Sequence, residues 1–153
     1  MAKLYQRRYL KCPYNRAREL LAAEVEEAAG SGAQRRLTLV IPAVGAEIGK
    51  DVTVSVGAAV DPRHFDEPWR LHWEPVSGPY PTFDGTLTIR ADEDYTTSIL
   101  ELQGDYQPPL GAVGAAFNAV LGSRIAHETA REFLRKLGQS LESQYRAAEE
   151  AKR

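Results

Sequence analysis

The chain has 153 residues, 43% of them hydrophobic and 26% charged, with a formal net charge of -2, the profile of one water-soluble globular domain spanning 1–153. Its charge balance gives no electrostatic reason to bind nucleic acid, and the pairs Arg7/Arg8 and Arg35/Arg36 are too short to track a phosphate backbone. The single cysteine, Cys12, excludes an intrachain disulfide framework and a multi-cysteine zinc site, and its neighbours supply no activating context.

Residues 3–11 place Tyr5, Tyr9 and Leu10 among arginines and predict a short strand with an ambiguous inward face. The N-terminal MAKLYQRRYLK has no apolar segment of the secretory kind, and no run in the chain approaches the ~20 apolar residues of a membrane span. A cytoplasmic protein without stable membrane insertion is expected. Pro13 suits a first helical turn, and YNRARELLAAEVEEAA continues in strong helix formers to Gly30.

From Arg35 the period becomes two. RRLTLVIP sets Leu37, Leu39 and Ile41 on one face, and DVTVSVG sets Val52, Val54 and Val56 on one face, a hairpin-like pair. WRLHWEP alternates Trp69, Leu71 and Trp73 against Arg70, His72 and Glu74. FDGTLTIR alternates Phe83, Gly85, Leu87 and Ile89 against Asp84, Thr86, Thr88 and Arg90. The last strand, TTSILELQGDY, sets Leu100, Leu102, Gly104 and Tyr106 against Ile99, Glu101, Gln103 and Asp105, and the two prolines that follow end it.

Strands with one apolar face form an antiparallel sheet covered on one side, and the long C-terminal helix is the element that can cover it. The expected class is α+β, a curved antiparallel sheet gripping that helix, with an N-terminal strand and helix and a frayed charged tail from about residue 146. This element order, together with GDYQPPLGAVGAAF at 104–117, resembles the helix-grip superfamily, the START-like group of lipid-transfer proteins, pollen-allergen-like ligand carriers and polyketide cyclases. The resemblance implies an apolar cavity between sheet and helix; some such proteins carry ligands and some catalyse cyclisation or dehydration.

Phe133, Leu134, Leu137 and Leu141 form one stripe of the last helix at about 100° per residue. Followed backwards, the stripe passes Ala130, Ala126, Gly122, Ala119, Ala115 and Ala112, while Leu110, Val113, Phe117 and Leu121 lie on the opposite face. Either the helix is straight, leaving a pocket beneath the small face and an outer patch fit for a homodimer, or it kinks or breaks at Gly122–Ser123 and turns Phe117 inward as a lid. The second is preferred because an uncovered Leu, Val and Phe stripe invites aggregation. Close helix–sheet approach, or alanine's helix propensity alone, also explains the small residues.

The expected ligand-binding residues are Leu71, Trp73, Phe83, Leu87, Leu100, Leu102, Tyr106, Val113 and Phe117, with the Trp73 indole and the Tyr106 hydroxyl as polar handles. They suit a small hydrophobic molecule such as a lipid, isoprenoid or aromatic polyketide-like compound. No cofactor, metal site or catalytic residue is assigned. An enzyme of the cyclase or dehydratase kind, using Tyr106, Trp73 and a first-strand tyrosine, is the alternative, and an interaction module using the Val113/Phe117/Leu121 face is a third. His72 and Glu101 have the outward parity and would matter to catalysis only if their strands slipped by one residue. The loop DPRHFDEP around His64 matches no metal-ligand spacing, and HETARE at 127–132 reads as a solvated helix face with Arg131 paired at helical spacing.

Overall fold

The computed structural model describes residues 2–30, 35–43, 46–59, 69–75, 81–107 and 119–152, with side chains described for 3–25, 69–75, 81–107 and 123–152. The elements are β1 (Ala2–Leu10), α1 (Tyr14–Gly30), β2 (Arg35–Ala43), β3 (Ala46–Ala59), β4 (Trp69–Pro75), β5 (Thr82–Ala91), β6 (Ser98–Gln107) and α2 (Ala119–Ala151). The six strands form one sheet in the order β1-β6-β5-β4-β3-β2, and every neighbouring pair is antiparallel. This is the expected α+β architecture, an antiparallel sheet with a long C-terminal helix packed on it.

Parity decides which face of each strand meets the core. Trp69, Leu71 and Trp73 of β4, Phe83, Leu87 and Ile89 of β5, and Leu100, Leu102 and Tyr106 of β6 are buried together with Ile125, Ala126, Ala130, Phe133, Leu134 and Leu141 of α2. In β1 the ambiguity resolves in favour of even positions: Leu4 and Leu10 are buried, while Tyr5 and Tyr9 are exposed. Helix α1 adds Tyr14, Ala17, Leu21 and Val25 to the same core, spaced three or four apart along one face. Its first turn closes when Ala17 N–H donates to the Pro13 carbonyl at 2.8 Å, a role Pro13 fills without needing an N–H of its own.

Two expectations about the C-terminal helix change. Helix α2 runs without a break through Gly122 and Ser123, so of the kink or break expected there the break is absent; a single helical glycine costs only about 1 kcal/mol against alanine, too little to interrupt a helix packed along one face. The helix also continues to Ala151 rather than fraying from residue 146, because RAAEEAK is rich in helix formers and Lys152 pairs with Glu149 at 3.1 Å. Val113 and Phe117, with Leu110, Ala112 and Ala115, lie outside the described residues, as does the His64 loop. The side chains of Leu37, Leu39, Ile41, Val52, Val54, Val56, Ala119, Leu121 and Gly122 likewise lie outside the described residues.

Antiparallel register stacks the inner residues into cross-strand rows. Trp73 pairs with Phe83 and Leu71 with Gly85; Phe83 pairs with Tyr106 and Gly85 with Gly104; Leu4 pairs with Gly104. An aromatic row, Trp73–Phe83–Tyr106, therefore runs beside a row with two adjacent glycines, Leu71–Gly85–Gly104–Leu4. A Cβ on Gly85 would lie 2.4 Å from the Phe83 ring and 2.2 Å from the Gln103 carbonyl oxygen, and one on Gly104 would lie 2.2 Å from the Asp84 carbonyl oxygen. The glycines are required for the close approach of β5 and β6 and for the Phe83 ring to lean over its own strand. On the other side of the sheet, β3 and β4 shift register between Val56 and Ala59, an irregularity that bends a strand and increases its twist.

Candidate functional site

The aromatic row begins at Trp73, whose ring stacks on Phe83 with centroids 4.4 Å apart and planes at 20°. Both rings are fully enclosed. The Trp73 indole Nε1–H is buried and has no acceptor among the described residues, which leaves a donor whose desolvation costs on the order of 1–3 kcal/mol. Tyr106 continues the row and is capped from α2: the His127 ring meets it edge-on, centroids 6.1 Å apart and planes at 75°. The offset, perpendicular geometry directs a ring edge at a π face.

His127 is held from behind. Its Nδ1 lies 2.8 Å from the Ser123 carbonyl oxygen and 3.5 Å from the Ser123 hydroxyl. A carbonyl can only accept, so Nδ1 carries the proton and a neutral imidazole presents Nε2 as an acceptor. Among the described residues no group bonds Nε2. The side chain borders a recess of about 650 Å³ that is also lined by Leu4, Gly85 and Gly104 of the glycine row and by Lys3, Tyr5, Asp84, Thr86, Gln103 and Asp105 of opposite strand parity.

The charges of that recess are already spoken for. Lys3 pairs with Asp105 at 3.0 Å, and Asp84 pairs with His72 at 2.7 Å, with Glu74 3.7 Å from the same ring. His72 is thus on the outward face its parity predicts. Glu101 also faces outward and pairs with Arg90, which raises the guanidinium above its ordinary range through that hydrogen bond and charge.

The structure brings Leu71, Trp73, Phe83, Leu87, Leu100, Leu102 and Tyr106 onto one buried face. These side chains form the wall between sheet and helix rather than the lining of the recess, which meets them at the glycine row and at His127. The expectation that HETARE is a solvated face is corrected at Thr129 and Ala130, which are buried, and at His127, which is half-buried, although Glu128 and Arg131 do pair at 2.7 Å as expected. The sequence held the signal for His127: it lies three, seven and fourteen residues before Ala130, Leu134 and Leu141, on the same helical stripe. Tyr9, one of the first-strand tyrosines of the enzyme alternative, is exposed with Arg7 over its ring at 5.5 Å, and Tyr5 reaches only the recess rim.

Cys12 contributes no chemistry to this region. It is enclosed by protein, and burial pushes its thiol pKa up to about 11, against a smaller lowering by Arg16 and a further raising by Glu142. The thiolate fraction at neutral pH is negligible.

Fold and recess together define the class: an α+β protein with an antiparallel sheet, a long helix packed on it and an aromatic row ending at a helix histidine. No family model matches the chain, and no curated protein matches it. A solved structure similar to it is that of TTHA0849 from Thermus thermophilus, at 14% sequence identity over 92% of this chain and 97% of that chain, with a TM-score of 0.49. Among the described residues, no helix is long and apolar enough to cross a membrane.

Proposed function

We propose that this protein binds a small, mainly apolar molecule between the sheet and α2, as helix-grip carriers do, without acting on it chemically. The observation that carries the reading is the recess of about 650 Å³ beside the aromatic row, a volume within the roughly 300–1,000 Å³ of small-molecule sites. The ligand enters over Leu4, Gly104 and His127 and extends toward the wall of Leu71, Trp73, Phe83, Leu87, Leu100, Leu102 and Tyr106; Val113 and Phe117 lie outside the described residues. The unpartnered Trp73 N–H supports the same reading, since an oxygen on the ligand would recover a donor that the free protein leaves unsatisfied.

Native mass spectrometry of protein purified without detergent tests this, followed by organic extraction and identification of any retained compound. A small molecule retained at one per chain is expected. Failure to retain one, together with failure to bind any member of a panel of lipids, isoprenoids and aromatic compounds, overturns the reading. The second reading is an enzyme using the same space, favoured by one observation, the half-buried His127 imidazole at the recess. Conversion of a bound compound, rather than its recovery unchanged, would establish it.

A further inference from the structure

The polarity of the open groups at the recess narrows the ligand class, and this step rests on the binding reading above. Lys3 and Asp105 form an ion pair at 3.0 Å and Asp84 is hydrogen-bonded to His72 at 2.7 Å, so each of these groups already has a partner within the sheet. His127 differs. Its Nδ1 proton is committed to the Ser123 carbonyl at 2.8 Å, its ring orientation is fixed by the edge contact with Tyr106, and its remaining polar atom, Nε2, is an acceptor without a partner among the described residues. The backbone, not a titrating neighbour, sets this tautomer, so the acceptor is built into the helix.

We propose that His127 Nε2 selects ligands that carry a hydroxyl donor on an otherwise apolar body. The hydroxyl donates to Nε2 at the recess, and the apolar body extends from there along the aromatic row. A ligand of the same shape with an ether in place of the hydroxyl has nothing to donate and leaves Nε2 desolvated and unpaired.

The experiment compares 2-naphthol with 2-methoxynaphthalene in fluorescence titrations at about pH 8, where free histidine is neutral. The wild-type protein is expected to bind 2-naphthol about 3- to 10-fold more tightly, the free-energy equivalent of one net hydrogen bond. His127→Phe keeps a ring against Tyr106 and is expected to abolish that preference, bringing the affinities of the two compounds together. In the wild-type protein, 2-naphthol is expected to shift the Nε2 ¹⁵N resonance of His127 and leave Nδ1 protonated, a readout that survives if the variant does not fold. Equal binding of the two compounds, or a ring that carries its proton on Nε2, overturns this inference and leaves the binding reading standing. Binding of neither compound counts against both.

Discussion

The imidazole of His127 meets the ring of Tyr106 edge-on, 6.1 Å between centroids and 75° between planes, joining the last strand to the C-terminal helix. Tyr106 is fixed by its antiparallel pairing with Phe83, and His127 by Ser123 one turn earlier. The contact needs the Tyr106 ring and not its hydroxyl. Tyr106→Phe should therefore leave the His127 ring-proton shifts in place and change stability by less than about 1 kcal/mol. Tyr106→Ala should cost about 3 kcal/mol, as large-to-small core substitutions do, and move those shifts as the ring current is lost. Denaturant titration and ¹H–¹³C spectra of the imidazole check both outcomes.

Trp73→Phe separates packing from hydrogen bonding at the other end of the row. The substitution loses part of the indole's buried surface, at roughly 25 cal/mol per Å², and simultaneously removes a buried donor with no acceptor among the described residues, worth on the order of 1–3 kcal/mol. These effects oppose each other. The ligand-free variant should lie within about 1 kcal/mol of wild type by urea denaturation. A loss above about 3 kcal/mol would mean the N–H is bonded in solution.

Much of this architecture was legible in the chain because parity is a strong signal. Trp69, Leu71 and Trp73 alternate with Arg70, His72 and Glu74 without exception, and a strand read that way has one possible inner face. β1 was harder: its inner positions include Gln6 and Arg8, and its tyrosines face out, so apolarity alone pointed the wrong way as often as the right one. His127 was missed for a different reason. Its neighbours Glu128 and Arg131 are a surface pair, and reading HETARE as a block hid that His127 shares the inward stripe of Ala130 and Leu134. The recess itself depends on which atoms β5 and β6 bring together at Gly85 and Gly104, a three-dimensional coincidence with no linear signature.

The two sheet glycines should be the least replaceable small residues in the described chain. Gly85→Ala and Gly104→Ala each place a Cβ 2.2 Å from a carbonyl oxygen of the neighbouring strand, and backbone cannot move aside as a side-chain tip can. Each should cost about 2 kcal/mol or more, on the order of a severe overpacking defect, and the double variant should be non-additive because the Gly104 Cβ would also fall 2.5 Å from Gly85 Cα. Gly138→Ala is the control. Its Cβ meets the movable ends of Arg8 and Leu10 at 2.7 and 2.8 Å, and helix propensity returns about 1 kcal/mol, so its loss should be the smallest of the three by thermal or denaturant unfolding.

Acid should weaken the fold through two identifiable carboxylates. Hydrogen bonds from Thr96, side chain first and then backbone, hold Asp94 below its ordinary range. Glu132 is lowered chiefly by its hydrogen bond from Arg135, partly offset by burial. A carboxylate whose folded pKa is depressed stabilises the protein fully above its unfolded value, near pH 4, and loses that contribution as pH falls through the folded value. Stability should accordingly fall below about pH 4, and Asp94→Asn and Glu132→Gln should each flatten that slope while changing little of its course above about pH 6. Denaturant midpoints measured from about pH 7 to about pH 2 check the sign; an unchanged acid slope in both variants would assign the loss to other groups.

Tyr95 holds a conformation its side chain does not favour. With φ at 61° it is the non-glycine residue of the described chain in the left-handed region, and the residue is 66% exposed, so little packing compensates for the steric cost of about 1–2 kcal/mol. The position is fixed by its surroundings: Tyr95 N–H donates to the Asp92 carbonyl at 3.2 Å, and the Tyr95 carbonyl accepts from Tyr14 N–H at 3.3 Å. This turn therefore ties the β5–β6 connection to the start of α1 through backbone atoms that any residue supplies. Tyr95→Gly keeps both hydrogen bonds and removes the Cβ clash, offset in part by the greater freedom of glycine in the unfolded chain. A gain of about 0.5–1 kcal/mol is expected in chemical denaturation, and Tyr95→Val, whose branched Cβ is least tolerant of positive φ, should lose stability by at least as much. If Val and Gly behaved alike there, the turn would not be held left-handed in solution.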